Sequence, residues 1–349
     1  MSTWTHGRRL AVVAVLLLSG QALPLRAQPA AEPLRLAMVL PRDEQSIETA
    51  LREYLTRRGL NARWEVLRFS GKAEDQPALI ARLRALKPAL IYTWGTPTAL
   101  AVAGAHDADP ARHIMDVPVV FTEVTDPVGS RLVQRLDPPG RNVTGVPHVA
   151  PLPTQLSVLR AYRPFSRLGY IVNPAEVNTS LVREALGVLA AAQGFEIVDA
   201  AVPLDARGAP DATALPGLVK DLKARGADFL YVPPSTFLAF THRDLVTQSA
   251  LQAGLPTFCS TESIVRRSHC LVGLFSNGAN TGRFAGYKIA QILLDRVPVE
   301  RVPIQTLQRF SLLINMPTAQ ALDLYPPLSL LNVAEVLPVG SAPGTAVVR

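Results

Sequence analysis

Short apolar runs and amphipathic stretches follow one another in strict alternation along this chain. Leu34-Arg-Leu-Ala-Met-Val-Leu40 has the composition of a buried strand, and Ile47, Leu51, Tyr54 and Leu55 then fall on one helical face. Arg63-Trp-Glu-Val-Leu-Arg-Phe69 alternates with period two. Leu79, Ile80, Leu83 and Leu86 form a second helical stripe, and Leu90–Trp94 and Val117–Val124 are further strands. The turn signals Arg58-Gly59 and Lys87-Pro88 end the first two helices. A hydrophobic period that switches between 2 and 3.6 in this order predicts βαβ units around a parallel sheet.

The pattern restarts at Arg167–Asn173, a strand, followed by a helix that turns Val177, Leu181, Val182, Ala185 and Leu189 inward. Phe195–Val202, Asp228–Val232 and Leu255–Cys259 are strands. Between them lie a helical stripe of Leu215, Leu218, Val219 and Leu222 and a helix around Asp244–Ala253. The chain therefore reads as α/β, with two doubly wound Rossmann-like lobes and a break near Gly145-Val-Pro147. There is no tandem sequence repeat; the halves are alike in architecture only. Open parallel sheets bind ligands beyond the carboxyl ends of their strands, so two such lobes face each other across a cleft.

Residues 1–27 read differently. Arg8 and Arg9 precede an apolar run from Leu10 to Leu18, and a polar stretch ends in Leu25-Arg-Ala27. This is the pattern of a cleavable signal peptide, with cleavage after Ala27, and the run is too short to span a bilayer. The expectation is an exported, periplasmic protein beginning close to Gln28, with no stable membrane insertion. Neither cysteine lies near the cut, which excludes a lipid anchor on a cysteine there. Composition adds little to this. The net charge of +7 falls to about +4 (7 − 3) once Arg8, Arg9 and Arg26 are removed, and the basic residues form no run or stripe. Nucleic acid is not an expected partner.

Cys259 and Cys270 are the two cysteines. Two unpaired buried thiols are the default expectation. A disulfide is the alternative that an oxidising compartment permits. A metal site with the adjacent His269 lacks the fourth ligand that structural zinc requires, so no metal or cofactor is expected.

The strand ends carry the candidate chemistry. They offer Thr96, Thr98, Thr122, Thr125 and Asp126 in the first half, and Asn173, Asn178, Thr179, Ser235, Thr236 and Glu262 in the second. Hydroxyls and amides can satisfy a small polar solute, and free N–H groups at the helix starts near Thr98 and Thr179 can receive a carboxylate. Each residue also has an ordinary reading as a helix cap. Asp126, before a proline, doubles as a turn starter, and Glu262 suits the first turn of a helix through the dipole alone.

The same segments carry a family resemblance. Gly95-Thr-Pro-Thr98, Val117–Val128 and Asn142-Val-Thr-Gly-Val146 resemble the "GTP", "PIVFTAVTDPV" and "GGNVTGV" elements of ABC-type substrate-binding proteins, the ABC_sub_bind family. Gly169–Ser180 resembles "GVIYNPSEANS", and Phe310–Met316 resembles the start of "FELVINLKTA". The likeness runs from about Leu34 to Leu331. It implies a type I periplasmic-binding architecture in which 34–146 plus about 277–303 form the first lobe. Residues 147–276 plus about 304–331 then form the second lobe, and 332–349 a tail. It also implies a small-molecule ligand and an ABC permease and its ATPase as partners; a monomer is expected, and three crossovers linking two rigid α/β units predict hinge closure. The chain departs from the family where an aspartate-asparagine pair is usual, reading Pro234-Ser-Thr-Phe237, and has Thr261-Glu262 in place of "SD". An amino-acid ligand then needs Glu262 as the partner of its ammonium.

No enzyme is expected. The chain has no G-x-S-x-G elbow, H-E-x-x-H, P-loop or G-x-G-x-x-G after the first strand, the motifs that would mark common chemistries. Glu123 and Asp126 form a carboxylate pair that serves binding as readily as acid–base work. His106, His113 and His148 lack ligand spacing and read as solvated or packed. The alternative function is a periplasmic sensor that docks on a membrane receptor or kinase.

Overall fold

The computed structural model describes Met1, Ser2 and residues 32–338. The leader expectation, the cleavage site included, falls outside the described residues, as does the chain beyond 338. No helix among the described residues is long and apolar enough to cross a membrane.

The first half runs β1 (Leu34–Leu40), α1 (Ser46–Arg57), β2 (Ala62–Arg68), α2 (Gln76–Leu86), β3 (Leu90–Trp94), α3 (Thr96–Ala103), β4 (Val119–Thr122) and β5 (Val143–Val146). Its five strands are all parallel, in the order β2-β1-β3-β4-β5. Central strands buried on both faces need continuous apolar runs; Leu36 through Leu40 are fully buried. One face packs Leu79, Ile80, Val102 and their neighbours, and the other packs Ile47, Leu51, Ala285 and Ile289.

The second half runs α4 (Leu152–Tyr162), β6 (Arg167–Val172), α5 (Val177–Gln193), β7 (Glu196–Ala201), α6 (Leu215–Ala224), β8 (Phe229–Val232), α7 (Arg243–Gln252), β9 (Thr257–Cys259), α8 (Glu262–Arg267) and β10 (Val272–Phe275). Next comes α9 (Gly278–Leu293), then β11 (Ser311–Asn315), α10 (Met316–Ala321), α11 (Leu328–Leu331) and β12 (Glu335–Leu337). The second sheet has the order β12-β11-β10-β9-β8-β6-β7. Its pairings are parallel except β10 with β11. The strand β12, inside the stretch expected to be tail, pairs with β11. Val336 and Leu337, half-buried, give that short segment something to cover.

Among the described residues the chain passes between the sheets three times: after β5, after β10 and before β11. The helix α9 leaves the second sheet and packs on α1, β4 and β5. Its contact with α1 is very close. A Cβ on Gly282 would lie 2.0 Å from the carbonyl oxygen of Ile47, so only glycine fits.

Cys259 and Cys270 are joined in a disulfide with Cα atoms 6.5 Å apart. This corrects the expectation of two free thiols. The parallel strands β9 and β10 bring the end of one beside the start of the other, within the usual bridging distance. Both sulfurs are thereby used, which removes the metal alternative with His269.

Candidate functional site: a cleft between the two sheets

The carboxyl ends of both sheets open onto a cleft of about 870 Å³, its mouth included. From the first sheet, Arg42 follows β1, Trp94 ends β3 and Thr96 follows it, and Glu123 and Thr125 follow β4. Gly95, at φ 84°, makes the tight turn from β3 into α3. Only glycine adopts that backbone at little cost. From the second sheet come Asn178, Ser235, Thr236, Phe240, Thr261, Glu262 and Ser276.

Arg42 organises the first wall. Its guanidinium donates twice to Glu48, at 2.8 and 3.0 Å, and both side chains are buried. Glu48 also accepts from the backbone N–H of Gln45 at 2.8 Å and from the Tyr92 hydroxyl at 2.9 Å. That is the full complement a buried carboxylate needs. The guanidinium carbon of Arg42 lies 4.5 Å from the centre of the Trp94 ring and 5.6 Å from that of Phe240. The two rings, from opposite sheets, are tilted with centroids 5.4 Å apart. Phe240 reaches the cleft from a π-type turn over Thr236–Thr241.

Glu176 organises the second wall. It is buried, accepts from the Ser235 hydroxyl and takes the Phe237 N–H at 2.8 Å. Burial raises its pKa, against the pull of those donors. Asn178 donates its amide to the carbonyl of Pro234, and its own carbonyl oxygen has no hydrogen-bond partner among the described residues.

Of the eleven expected site residues, Thr96, Thr125, Asn178, Ser235, Thr236 and Glu262 line the cleft. The other five do not. Thr98 is buried within α3. Thr122 shares a 2.6 Å hydrogen bond with Tyr92 and so ends the Arg42–Glu48–Tyr92 chain. Asp126 turns back to accept from the N–H groups of Val128 and Gly129, as a turn starter does. Asn173 accepts from the N–H of Ala175, and Thr179 donates to the carbonyls of Asn173 and Glu176. These hold the loop before α5 in shape. Glu262 faces the cleft but is committed, accepting from Arg266 at 2.7 Å and from the Gly278 N–H at 2.9 Å.

The lining residues outside the expected set include Arg42, Trp94, His148, Phe240, Thr261 and Ser276, together with Glu123, which the sequence offered only as one of a carboxylate pair with Asp126. Arg42 and His148 each lie two residues past a strand end, the same signal that found Thr96. Glu123 carries φ 59°, in the left-handed region that is uncommon outside glycine. Its carboxyl lies 3.3 Å from His148 Nε2, a close contact without hydrogen-bond alignment. Burial, foremost, raises the Glu123 pKa to about 8, with Arg42 opposing and Glu48 and Glu262 reinforcing. Burial lowers that of His148 to about 3. At neutral pH both are therefore largely uncharged.

Several buried polar atoms around this cleft have no hydrogen-bond partner among the described residues. They are Arg42 Nε, Trp94 Nε1, both ring nitrogens of His148, Asn178 Oδ1, Thr261 Oγ1 and Ser276 Oγ. Buried polar groups are nearly always paired, and these atoms lie on both walls of the cleft.

The sequence model of ABC transporter substrate binding proteins matches residues 40–336. The chain belongs to that family. A tyrosine-binding protein of Clostridioides difficile is 26% identical over 263 residues, covering 73% of this chain and 70% of the relative. A conserved domain protein from Vibrio cholerae superposes with a TM-score of 0.75 at 22% identity, over 87% of this chain and 99% of that one. An ABC domain from Streptococcus pneumoniae, solved with L-Trp, superposes with a TM-score of 0.73 at 23% identity, over 86% and 99%. The fold of this substrate-binding protein is thus the type I periplasmic-binding architecture, as the resemblance implied.

Proposed function

We propose that this substrate-binding protein captures a small polar solute in the cleft and hands it to an ABC permease and its ATPase. The observation that carries the reading is the ring of unpartnered polar atoms on both walls, which a solute entering between them would satisfy. The protein acts in the periplasm, to which the leader at residues 1–27 directs it. The ligand is bound and released unchanged. Because the chain crosses between the sheets only three times, the two lobes close on the solute by a hinge.

Trp94 and Phe240 offer the solute a broad apolar surface, and Asn178, Thr261 and Ser276 offer polar partners. The tyrosine-binding relative and the L-Trp complex make aromatic amino acids the first solutes to try. Glu262 is a poor partner for their ammonium, because Arg266 and the Gly278 N–H already hold its carboxylate.

A thermal-shift screen of small metabolites tests the proposal. A ligand that binds only the folded state raises the melting temperature in proportion to RT ln(1 + [L]/Kd). Asn178→Ala should weaken a hit about five- to a hundred-fold, from the roughly 1–3 kcal/mol that a lost buried hydrogen-bond partner costs. A hit with unchanged affinity for Asn178→Ala places the solute outside this cleft.

A further inference from the structure

The third crossover, from α9 to β11, is fastened to the first lobe along only part of its length. Thr144, buried in β5, donates its hydroxyl to the carbonyl of Val302 at 2.8 Å and lies 3.2 Å from that of Pro303. The N–H of Ile304 donates to the carbonyl of Leu136 at 2.8 Å, and the Ile304 side chain packs in the core of the first sheet. The N–H of Gln305 donates to the carbonyl of Gly145, near the end of β5. There the fastening stops. Among the described residues, no hydrogen bond is made from Thr306 to Arg309. The chain then enters the second sheet at Ser311.

One member of this fastening is costly to place. Lys288, on α9, has no exposed surface. Its ammonium donates to the carbonyl of Pro303 at 2.5 Å and to the side-chain oxygen of Gln305 at 3.1 Å, and lies 4.7 Å from the centre of the Phe284 ring. Burial works against the charged form and lowers its pKa to about 8, with Asp137 opposing. A side chain that only filled space would carry no charge, since burying one is unfavourable unless it is paired and hydrogen-bonded. What the ammonium adds is a pair of bonds to residues 303 and 305, at the point where the fastening ends.

We propose that Lys288 is a positioning residue for capture: with Thr144 it clamps the third crossover to the first lobe as far as Gln305, so that bending in this crossover falls on residues 306–309 and the lobes close about a fixed pivot. This rests on the capture reading above and goes beyond it by locating one pivot of the hinge. A hinge needs a few residues that absorb a change in φ and ψ between parts that move as rigid bodies. Residues 306–309 can turn without breaking a hydrogen bond, and 302–305 cannot. Without the clamp the bend spreads into 302–305, and the lobes meet in a range of orientations. Trp94 and Phe240 meet across the cleft with ring centroids 5.4 Å apart, a contact that one orientation makes and others miss.

The test uses the full chain with no added solute, so its outcome is independent of finding one. Nitroxide labels at Glu53→Cys on α1 and Lys220→Cys on α6, both exposed positions, report the distance between the lobes by pulsed electron paramagnetic resonance. Amide hydrogen exchange reports the state of residues 304 and 305. In Lys288→Met, exchange at Ile304 and Gln305 should quicken about ten- to a hundred-fold, as the loss of a buried hydrogen-bond donor implies. Exchange in β1 should stay unchanged, and the distance distribution should broaden. Thr144→Val, which keeps the shape and loses the donor, should act in the same direction to a smaller degree. Unchanged exchange at residues 304 and 305, or an unchanged distance distribution in both variants, overturns the role of Lys288 and leaves capture in the cleft standing. Faster exchange throughout, β1 included, marks a purely structural lysine and overturns it equally. Capture fails on a separate result, the absence of any shift in the thermal screen.

Discussion

The guanidinium of Arg42 clasps Glu48 through two hydrogen bonds of 2.8 and 3.0 Å, and the same guanidinium forms part of the cleft wall beneath Trp94 and Phe240. A buried ion pair thus ties the start of α1 to the binding face. Removing one partner of such a pair typically costs about 3–5 kcal/mol, because it leaves a buried charge alone. Arg42→Met should lose stability on that scale in urea denaturation, and adding Glu48→Leu should recover much of the loss. If the double variant is no more stable than the single one, the pair is not the source.

The approach of α9 to α1 depends on Gly282, where an added Cβ would meet the Ile47 carbonyl oxygen at 2.0 Å. Backbone cannot yield as a flexible side chain can. Gly282→Ala should cost about 1–3 kcal/mol or more by overpacking. Gly217→Ala, on α6 with nothing within 4 Å of the new Cβ, should be neutral or gain up to about 1 kcal/mol from helix propensity. Thermal melts of the two variants give the comparison.

Sequence periodicity located β1, β3, β6 and the helices between them because parallel strands covered on both faces must be apolar throughout. It did not resolve β10, β11 and β12. Val272–Phe275 is four residues long, and nothing local in Ser311–Asn315 encodes its antiparallel direction. At the site, looking beyond strand ends found Thr96, Thr125, Asn178, Ser235, Thr236 and Glu262. It could not separate these from Thr98, Asp126 and Thr179, since a hydroxyl or carboxylate that caps a turn and one that meets a ligand look alike in sequence. Phe240 was hidden for another reason. It lies eight residues beyond β8 and is brought to the cleft by a π-type turn that has no simple sequence signature.

Glu123 and His148 pull the pH dependence of stability in opposite directions. The Glu123 pKa is raised by folding. Its contribution is complete below the unfolded value near 4.5 and is lost as the pH rises through about 8. The His148 pKa is lowered, so its contribution is complete above about 6.5 and is lost as the pH falls towards 3. Glu123→Gln removes the first slope alone. Ligand-free Glu123→Gln should melt close to the unsubstituted protein at pH 5 and above it at pH 9. Parallel melting curves across that range would show that the carboxyl is not buried as described.

The Cys259–Cys270 bridge closes a short loop, with a sequence separation of 11. Chain-entropy arguments give such a loop about 2–3 kcal/mol. Cys259→Ala/Cys270→Ala should melt several degrees lower than the oxidised protein. Equal melting temperatures would mean that the bridge does not form in solution.

The most direct measurement is a crystal structure of the protein with the solute that gives the largest thermal shift. The solute should lie between the two sheets, touching Trp94 and Glu123 from the first and Asn178 from the second. A solute bound elsewhere, or held by residues of one sheet alone, would contradict it.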